Sequence, residues 1–122
     1  MKILITGGAG FVGTGLIPQL LEKKHKVRVF DSLTFGGDQI LPFFRDPHFE
    51  FVRGDIRDLS ALKKAARDAD VIIHLAAIVG YPACRKDPEM AKSVNVDGTR
   101  NVIEATSNGQ LIIYGSTGSN YG

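Results

Sequence analysis

Five short apolar runs, alternating with segments of helical spacing, limit what this chain can fold into more than any other feature of its sequence. They are Lys2 to Thr6, Lys26 to Phe30, Glu50 to Arg53, Val71 to Leu75 and Leu111 to Tyr114. A strand covered on both faces reads as a near-continuous apolar run, and such strands belong to parallel sheets whose crossover helices lie on either side. No repeat or low-complexity segment interrupts the alternation, and 122 residues leave room for one domain, residues 1–122.

The segments between the runs carry helix signals. From Gly10 to Lys24, the residues Phe11, Val12, Leu16, Ile17, Leu20 and Leu21 recur at helical spacing and predict a core-facing stripe. Pro18 lies inside it and removes one ladder bond at a cost of about 3 kcal/mol, which predicts a local kink near Thr14 to Pro18 within a single helix. Asp58 is a good N-cap for a second helix that buries Leu59, Leu62, Ala65 and Ala66 and ends near Asp68. Asp87 followed by Pro88 opens a third, longer helix, with Gly109 after Asn108 as its stop. Asp31 to His48, holding Gly36-Gly37, Pro42 and Pro47, reads as a loop with one short helical turn.

Composition narrows the class. Hydrophobic residues at 43% and charged residues at 23% are those of a soluble domain with a packed core. The net charge of +2 is spread along the chain with no basic face, which argues against a nucleic-acid partner. The apolar run at Met1 to Thr6 meets glycine at once and is too short for a signal peptide or a membrane span, so a cytoplasmic chain with no membrane partner is expected. Cys84 stands alone, unable to form an internal disulfide or a cysteine-based zinc site, and reads as a small loop residue in a reducing compartment.

The segment Thr6-Gly7-Gly8-Ala9-Gly10-Phe11-Val12-Gly13 follows the first strand and opens the first helix, and Gly8, Gly10 and Gly13 satisfy the G-x-G-x-x-G fingerprint. Glycine serves a tight turn, the approach of a pyrophosphate that a Cβ would block, and close packing of helix on strand. The N–H groups of Phe11 and Val12 then face phosphates at the positive end of the helix. Asp31 stands at the end of the second strand, eighteen residues beyond Gly13, where a dinucleotide-binding Rossmann fold places the carboxylate that accepts from the ribose hydroxyls. A carboxylate there repels a 2′-phosphate, and no arginine follows in Ser32-Leu33-Thr34-Phe35, so the expected cofactor is NAD rather than NADP.

Two further residues admit more than one reading. In Gly54-Asp55-Ile56-Arg57-Asp58, Asp55 either accepts from an adenine amino group or forms a turn before the Asp58 cap. His74, at a buried strand end with no second metal ligand at useful spacing, reads as a hydrogen-bonded core residue, and no metal is expected.

Taken together these motifs resemble the NAD-dependent epimerase/dehydratase family, the extended short-chain dehydrogenases that act mostly on nucleotide sugars. The resemblance is carried by the Gly7 to Gly13 turn, Asp31, Gly54 to Asp58, His74-Leu-Ala-Ala77, Val94-Asn-Val-Asp-Gly-Thr99 and Ser116-Thr-Gly-Ser-Asn-Tyr-Gly122. It implies a Rossmann-type doubly wound parallel sheet of five strands in the order 3-2-1-4-5. It also implies that Asp55 and Ile56 bind adenine, that Leu75, Ala76 and Ala77 line the adenosine ribose and phosphates, and that Asn95 supports the nicotinamide side. The resemblance further implies that Ser116 stands beside the nicotinamide and that Thr117 is the catalytic residue that hydrogen-bonds the reacting hydroxyl. With Gly7, Gly10, Phe11, Val12, Gly13, Asp31 and its neighbour Ser32, these residues make up the expected site.

The family's Tyr-x-x-x-Lys is absent, since neither Tyr81, Tyr114 nor Tyr121 has a lysine four positions later. That pair transfers a proton to or from the sugar hydroxyl. The chain therefore reads as the N-terminal part of a longer enzyme, cut before its substrate lobe, that binds NAD without turnover. Loss of the following strand would leave the fifth strand as an apolar edge and predicts self-association through it. The leading expectation is the cofactor half of a nucleotide-sugar epimerase or dehydratase. The alternative is a non-catalytic regulatory or redox-sensing module of the same fold, and a third is a Rossmann-like protein for another nucleotide, such as a methyltransferase.

Overall fold

The computed structural model describes residues 1–78 and 85–115; Tyr81, Cys84, Ser116, Thr117 and Tyr121 lie outside the described residues. Within them the chain alternates strands and helices from its first residues. Strand β1 (Lys2–Thr6) leads to helix α1 (Phe11–Glu22), β2 (Lys26–Asp31), a 3-10 segment (Asp38–Arg45), β3 (Phe49–Arg53), α2 (Leu59–Ala66) and β4 (Val71–His74). Then follow α3 (Pro88–Lys92), a π-helical segment (Ser93–Gly98), α4 (Thr99–Ala105) and β5 (Leu111–Tyr114).

The five strands form one parallel sheet in the order β3-β2-β1-β4-β5, as the resemblance implies. In β1, Ile3 sits between Val27 and Val71, and Leu4 between Arg28 and Ile72. Successive side chains of a strand point to opposite faces, so β1 feeds two cores. Leu4 joins Phe30 and Ile72 under Leu62, Ala66 and Val102, on the side covered by α2 and α4. Ile3 and Ile5 join Val27, Val29 and Ile73 against Ile17 and Leu21 of α1 and Ile40 of the 3-10 segment. Helices on both faces explain why the strands read as continuous apolar runs.

Three expectations need adjustment. In α1 the fully buried stripe is Gly13, Ile17 and Leu21, whereas Phe11 is 94% exposed and Val12 exposed, because the first turn of the helix projects past the C-terminal edge of the sheet. The helix runs through Pro18 as one element and closes with Lys24 in the left-handed region, His25 N–H donating to the Leu20 carbonyl. The predicted single helical turn after β2 is an eight-residue 3-10 segment. The third helix stops at Ala105 rather than at Gly109, and its middle is π-helical. Thr106 is already extended there, and Gly109, with φ +90°, belongs to the turn into β5. The Asp58 and Asp87 caps form as expected, each carboxylate accepting from the backbone N–H three residues on.

Arg28 on β2 is largely covered and donates to Glu50 on β3 at 2.9 Å, to Asp68 just past α2 at 2.7 Å and to the Ala65 carbonyl at 2.6 Å. Lys2 pairs with the same Asp68 at 2.6 Å. At the opposite side, β5 is an outer strand, and Leu111 and Tyr114 are exposed, the feature from which the sequence predicts self-association. Among the described residues no helix is long and apolar enough to cross a membrane.

Candidate functional site

β1 is flanked by β2, reached over one face of the sheet, and by β4, reached over the other. At such a reversal of strand order the crossovers diverge and leave a crevice beyond the strand C-termini. A cleft of about 730 Å³ opens there, within the range of small-molecule sites. Its lining includes the expected residues Gly7, Gly10, Phe11, Val12, Gly13, Asp31, Ser32, Asp55, Ile56, Leu75, Ala76 and Ala77.

The floor is the glycine turn. Gly7 has φ +71° and a Cβ there would stand 2.6 Å from the Ala76 backbone, so the left-handed turn falls on Gly7, one residue before the fingerprint glycine chosen from sequence. Gly8 is instead packed under the turn against Val29 and Ile5. At Gly13 a Cβ would overlap the Gly8 carbonyl, which fixes the close approach of α1 to β1. The set facing the cleft is therefore Gly7, Gly10 and Gly13. Gly10 is the N-cap and offers no side-chain cap, and no acidic residue stands in the first turn of α1. The positive end of that helix opens into the cleft with its amide donors unused by a cap.

Asp31 closes one side. Its Oδ2 accepts from Ala9 N–H at 3.0 Å and its Oδ1 from Leu33 N–H at 2.8 Å, tying β2 to the glycine turn. A carboxylate has roughly four acceptor positions, so two remain for hydroxyl groups. The second bond holds Leu33 at φ +62°, an unusual conformation for a branched side chain, while its side chain packs against the α1 core. Asp31 and Asp55 are the charged side chains among the described lining residues; no lysine or arginine lines the cleft there.

Asp55 forms the turn of one of its readings and stands on the cleft wall, as the other requires. It makes a turn by accepting from Arg57 N–H at 2.9 Å and pairs with the Arg57 guanidinium at 2.6 Å, yet it faces the cleft. The guanidinium hydrogen bond holds its carboxyl below the ordinary carboxylate value. Ile56 beside it is buried, and its carbonyl accepts from Asn101.

Asn95 is not on the lining. Its Oδ1 accepts from Ile78 N–H at 2.7 Å and its Nδ2 donates to the Ile78 carbonyl at 3.0 Å, so it clamps the segment that leaves β4. Ile78, Met90, Val94, Phe35 and Gln39 also line the cleft, and the sequence reading did not include them. Only the helical spacing of Met90 and Val94 gave a signal, and it is the same for any core residue.

His74 is buried and bridges two threonines: its Nδ1 lies 2.6 Å from Thr6 Oγ1 and its Nε2 2.9 Å from Thr99 Oγ1. Burial pushes its pKa below the ordinary 6.5. The unfolded chain then takes up the proton first, so the stability owed to a neutral His74 is complete above 6.5 and is lost as the pH falls below it. Urea unfolding at a series of pH values is expected to show the midpoint declining on the acid side of 6.5, and a His74→Gln chain to decline less steeply.

Comparison with known proteins places this geometry. The model of the NAD dependent epimerase/dehydratase family matches residues 3–122. The chain belongs to that family. It is 34% identical over 119 residues to a putative UDP-glucose 4-epimerase of Methanocaldococcus jannaschii, covering 95% of this chain and 38% of that protein. It is 36% identical over 124 residues to a 3 beta-hydroxysteroid dehydrogenase/Delta 5-->4-isomerase of Mycobacterium tuberculosis, covering 97% of this chain and 32% of the relative. Among solved structures, UDP-glucose 4-epimerase of Thermus thermophilus in complex with NAD superposes with a TM-score of 0.76 at 33% identity, covering 86% of this chain and 33% of that one. The chain thus spans about a third of the length of the relatives it matches. NAD is the family's cofactor.

Proposed function

We propose that this chain is the NAD-binding part of an enzyme that epimerises or dehydrates a nucleotide sugar, and that alone it holds the cofactor without turning substrate over. One observation carries the reading: the uncapped positive end of α1 and the Asp31 carboxylate open onto the same cleft. The first suits a diphosphate and the second a vicinal diol.

The division of labour follows from the residues. Gly10, Phe11, Val12 and Gly13 would receive the pyrophosphate on backbone amides. Asp31, with Ser32 at its side, would accept from the adenosine ribose hydroxyls, and Asp55 and Ile56 would meet the adenine. Leu75, Ala76 and Ala77 would exclude water from the ribose and phosphate wall, and Asn95 would support the nicotinamide side by keeping the Ile78 backbone in place. The family pattern assigns Ser116 to the nicotinamide and Thr117 to the reacting hydroxyl. NAD, when bound, supplies a hydride acceptor. The chain matches a steroid dehydrogenase as well as a sugar epimerase, which fits a role directed at the dinucleotide.

Titration calorimetry with NAD, NADP and S-adenosylmethionine tests this. Binding of NAD at least about tenfold tighter than NADP is expected, because a 2′-phosphate about 4 Å from Asp31 meets several kcal/mol of repulsion at an effective dielectric near 20. A preference for NADP or S-adenosylmethionine would overturn the proposal.

A further inference from the structure

The hydrogen bonds around His74 have a direction. Thr99 carries one hydroxyl proton, and it goes to the Asn95 carbonyl at 2.7 Å. Toward His74 the Thr99 oxygen can then only accept, so the imidazole carries its proton on Nε2 and donates it at 2.9 Å. Nδ1 is left as an acceptor, and the Thr6 hydroxyl donates to it at 2.6 Å. The Thr6 oxygen keeps its lone pairs for Leu75 N–H at 3.2 Å and Ala76 N–H at 3.3 Å. Proton donation therefore runs one way, from Thr6 through His74 and Thr99 to the carbonyl of Asn95, whose side chain grips both backbone groups of Ile78.

The two ends of this relay are walls of the cleft. Leu75, Ala76 and Ile78 line it, and the relay reaches Leu75 and Ala76 through Thr6 and Ile78 through Asn95. Three elements that are distant in sequence meet at one imidazole: the end of β1, the end of β4 and the junction of the π-helical segment with α4. A π-helical turn carries one more residue than an α-helical one and is costly unless something holds it; here Thr99, directly after it, bonds back to Asn95.

We propose that His74 is a positioning residue of the cofactor cleft: as an Nε2-protonated bridge between Thr6 and Thr99 it sets the backbone of Leu75, Ala76 and Ile78 at the spacing the dinucleotide requires. This rests on the reading of the cleft as an NAD site. An imidazolium would have to donate from Nδ1 as well, bringing a third N–H donor to a Thr6 oxygen that already serves two, so the relay works only with a neutral ring. Thr6 on β1, Thr99 on α4 and Tyr114 on β5 face the imidazole, the last stacked at 5.7 Å, and Tyr114 is the titratable one of the three.

Two measurements on the 122-residue chain decide the matter. Imidazole nitrogen NMR without nucleotide should show His74 neutral with the proton on Nε2, and a proton on Nδ1 would overturn the proposal whatever the chain binds. Calorimetry with NAD, well below the unfolding temperature, should find affinity about tenfold weaker in the nearly isosteric Thr99→Val chain. His74→Gln, which can still donate to Thr99, should lose less. The Ile78 and Ala76 amide resonances should move in Thr99→Val. A merely structural role would lower the melting temperature and leave affinity unchanged; that result, with the parent chain binding NAD normally, overturns the positioning role alone. A parent chain that does not bind NAD overturns the cofactor reading and the positioning role with it.

Discussion

Replacing Asp31 with alanine is expected to weaken NAD binding by about ten- to a hundredfold, the worth of hydrogen bonds to a charged acceptor, while NADP binding falls less or improves. The asymmetry is the informative part. Asp31 supplies attraction toward two hydroxyls and repulsion toward a 2′-phosphate, so its removal lowers one affinity and relieves the penalty on the other. The carboxylate also holds Ala9 and Leu33, and loosening the glycine turn would weaken both ligands alike. Only the ratio of the two affinities isolates the ribose contact. Calorimetric titration of both nucleotides into the variant measures it, and a NAD to NADP ratio equal to that of the parent chain would rule out the assigned role.

The second large effect is expected from Gly13→Ala. The new methyl would overlap the Gly8 carbonyl and stand 2.5 Å from its Cα, backbone that cannot move aside without carrying the turn with it. Overpacking of this kind costs about 3 kcal/mol, a substantial part of the stability of a domain this size. NAD binding should be lost along with it, because the amides of the first turn would be displaced. Gly15, two residues along the same helix, has open space where a Cβ would go. Gly15→Ala should therefore raise stability by about 0.5–1 kcal/mol through helix propensity and leave binding intact. Urea unfolding of the pair provides the comparison, and equal midpoints for the two variants would contradict the packing argument.

What could be read from the sequence was local in kind. Strands were legible because burial on both faces makes each one an apolar run, and Asp31 because a carboxylate at a strand end after a glycine turn has few other uses. Gly7 stood among the expected cofactor residues, but the fingerprint spacing fell on Gly8, because the pattern of glycines does not say which one takes the positive φ. The stop of the third helix was misplaced for a similar reason: Gly109 is a turn glycine, and nothing in Thr106 announces that the backbone straightens there. Phe11 and Val12 keep helical spacing but sit beyond the sheet, where periodicity no longer means burial. The bridges from Thr6 to His74 and from Asn95 to Ile78 join residues brought together only by the order of the strands, so no local pattern contains them.

The guanidinium of Arg28 has a bearing on how the protein meets acid. Bonds from Arg28 and Lys2 hold the Asp68 carboxyl well below the usual carboxylate range, so this tether between α2 and the sheet stays charged above the ordinary carboxylate value of 3.8 and yields only as the pH drops beneath it. The stability owed to a neutral His74 declines at a higher pH, once the pH falls below 6.5. Mild acidity thus tells against the His74 bridge at the end of β4 while the Asp68 tether between α2 and the sheet is still charged.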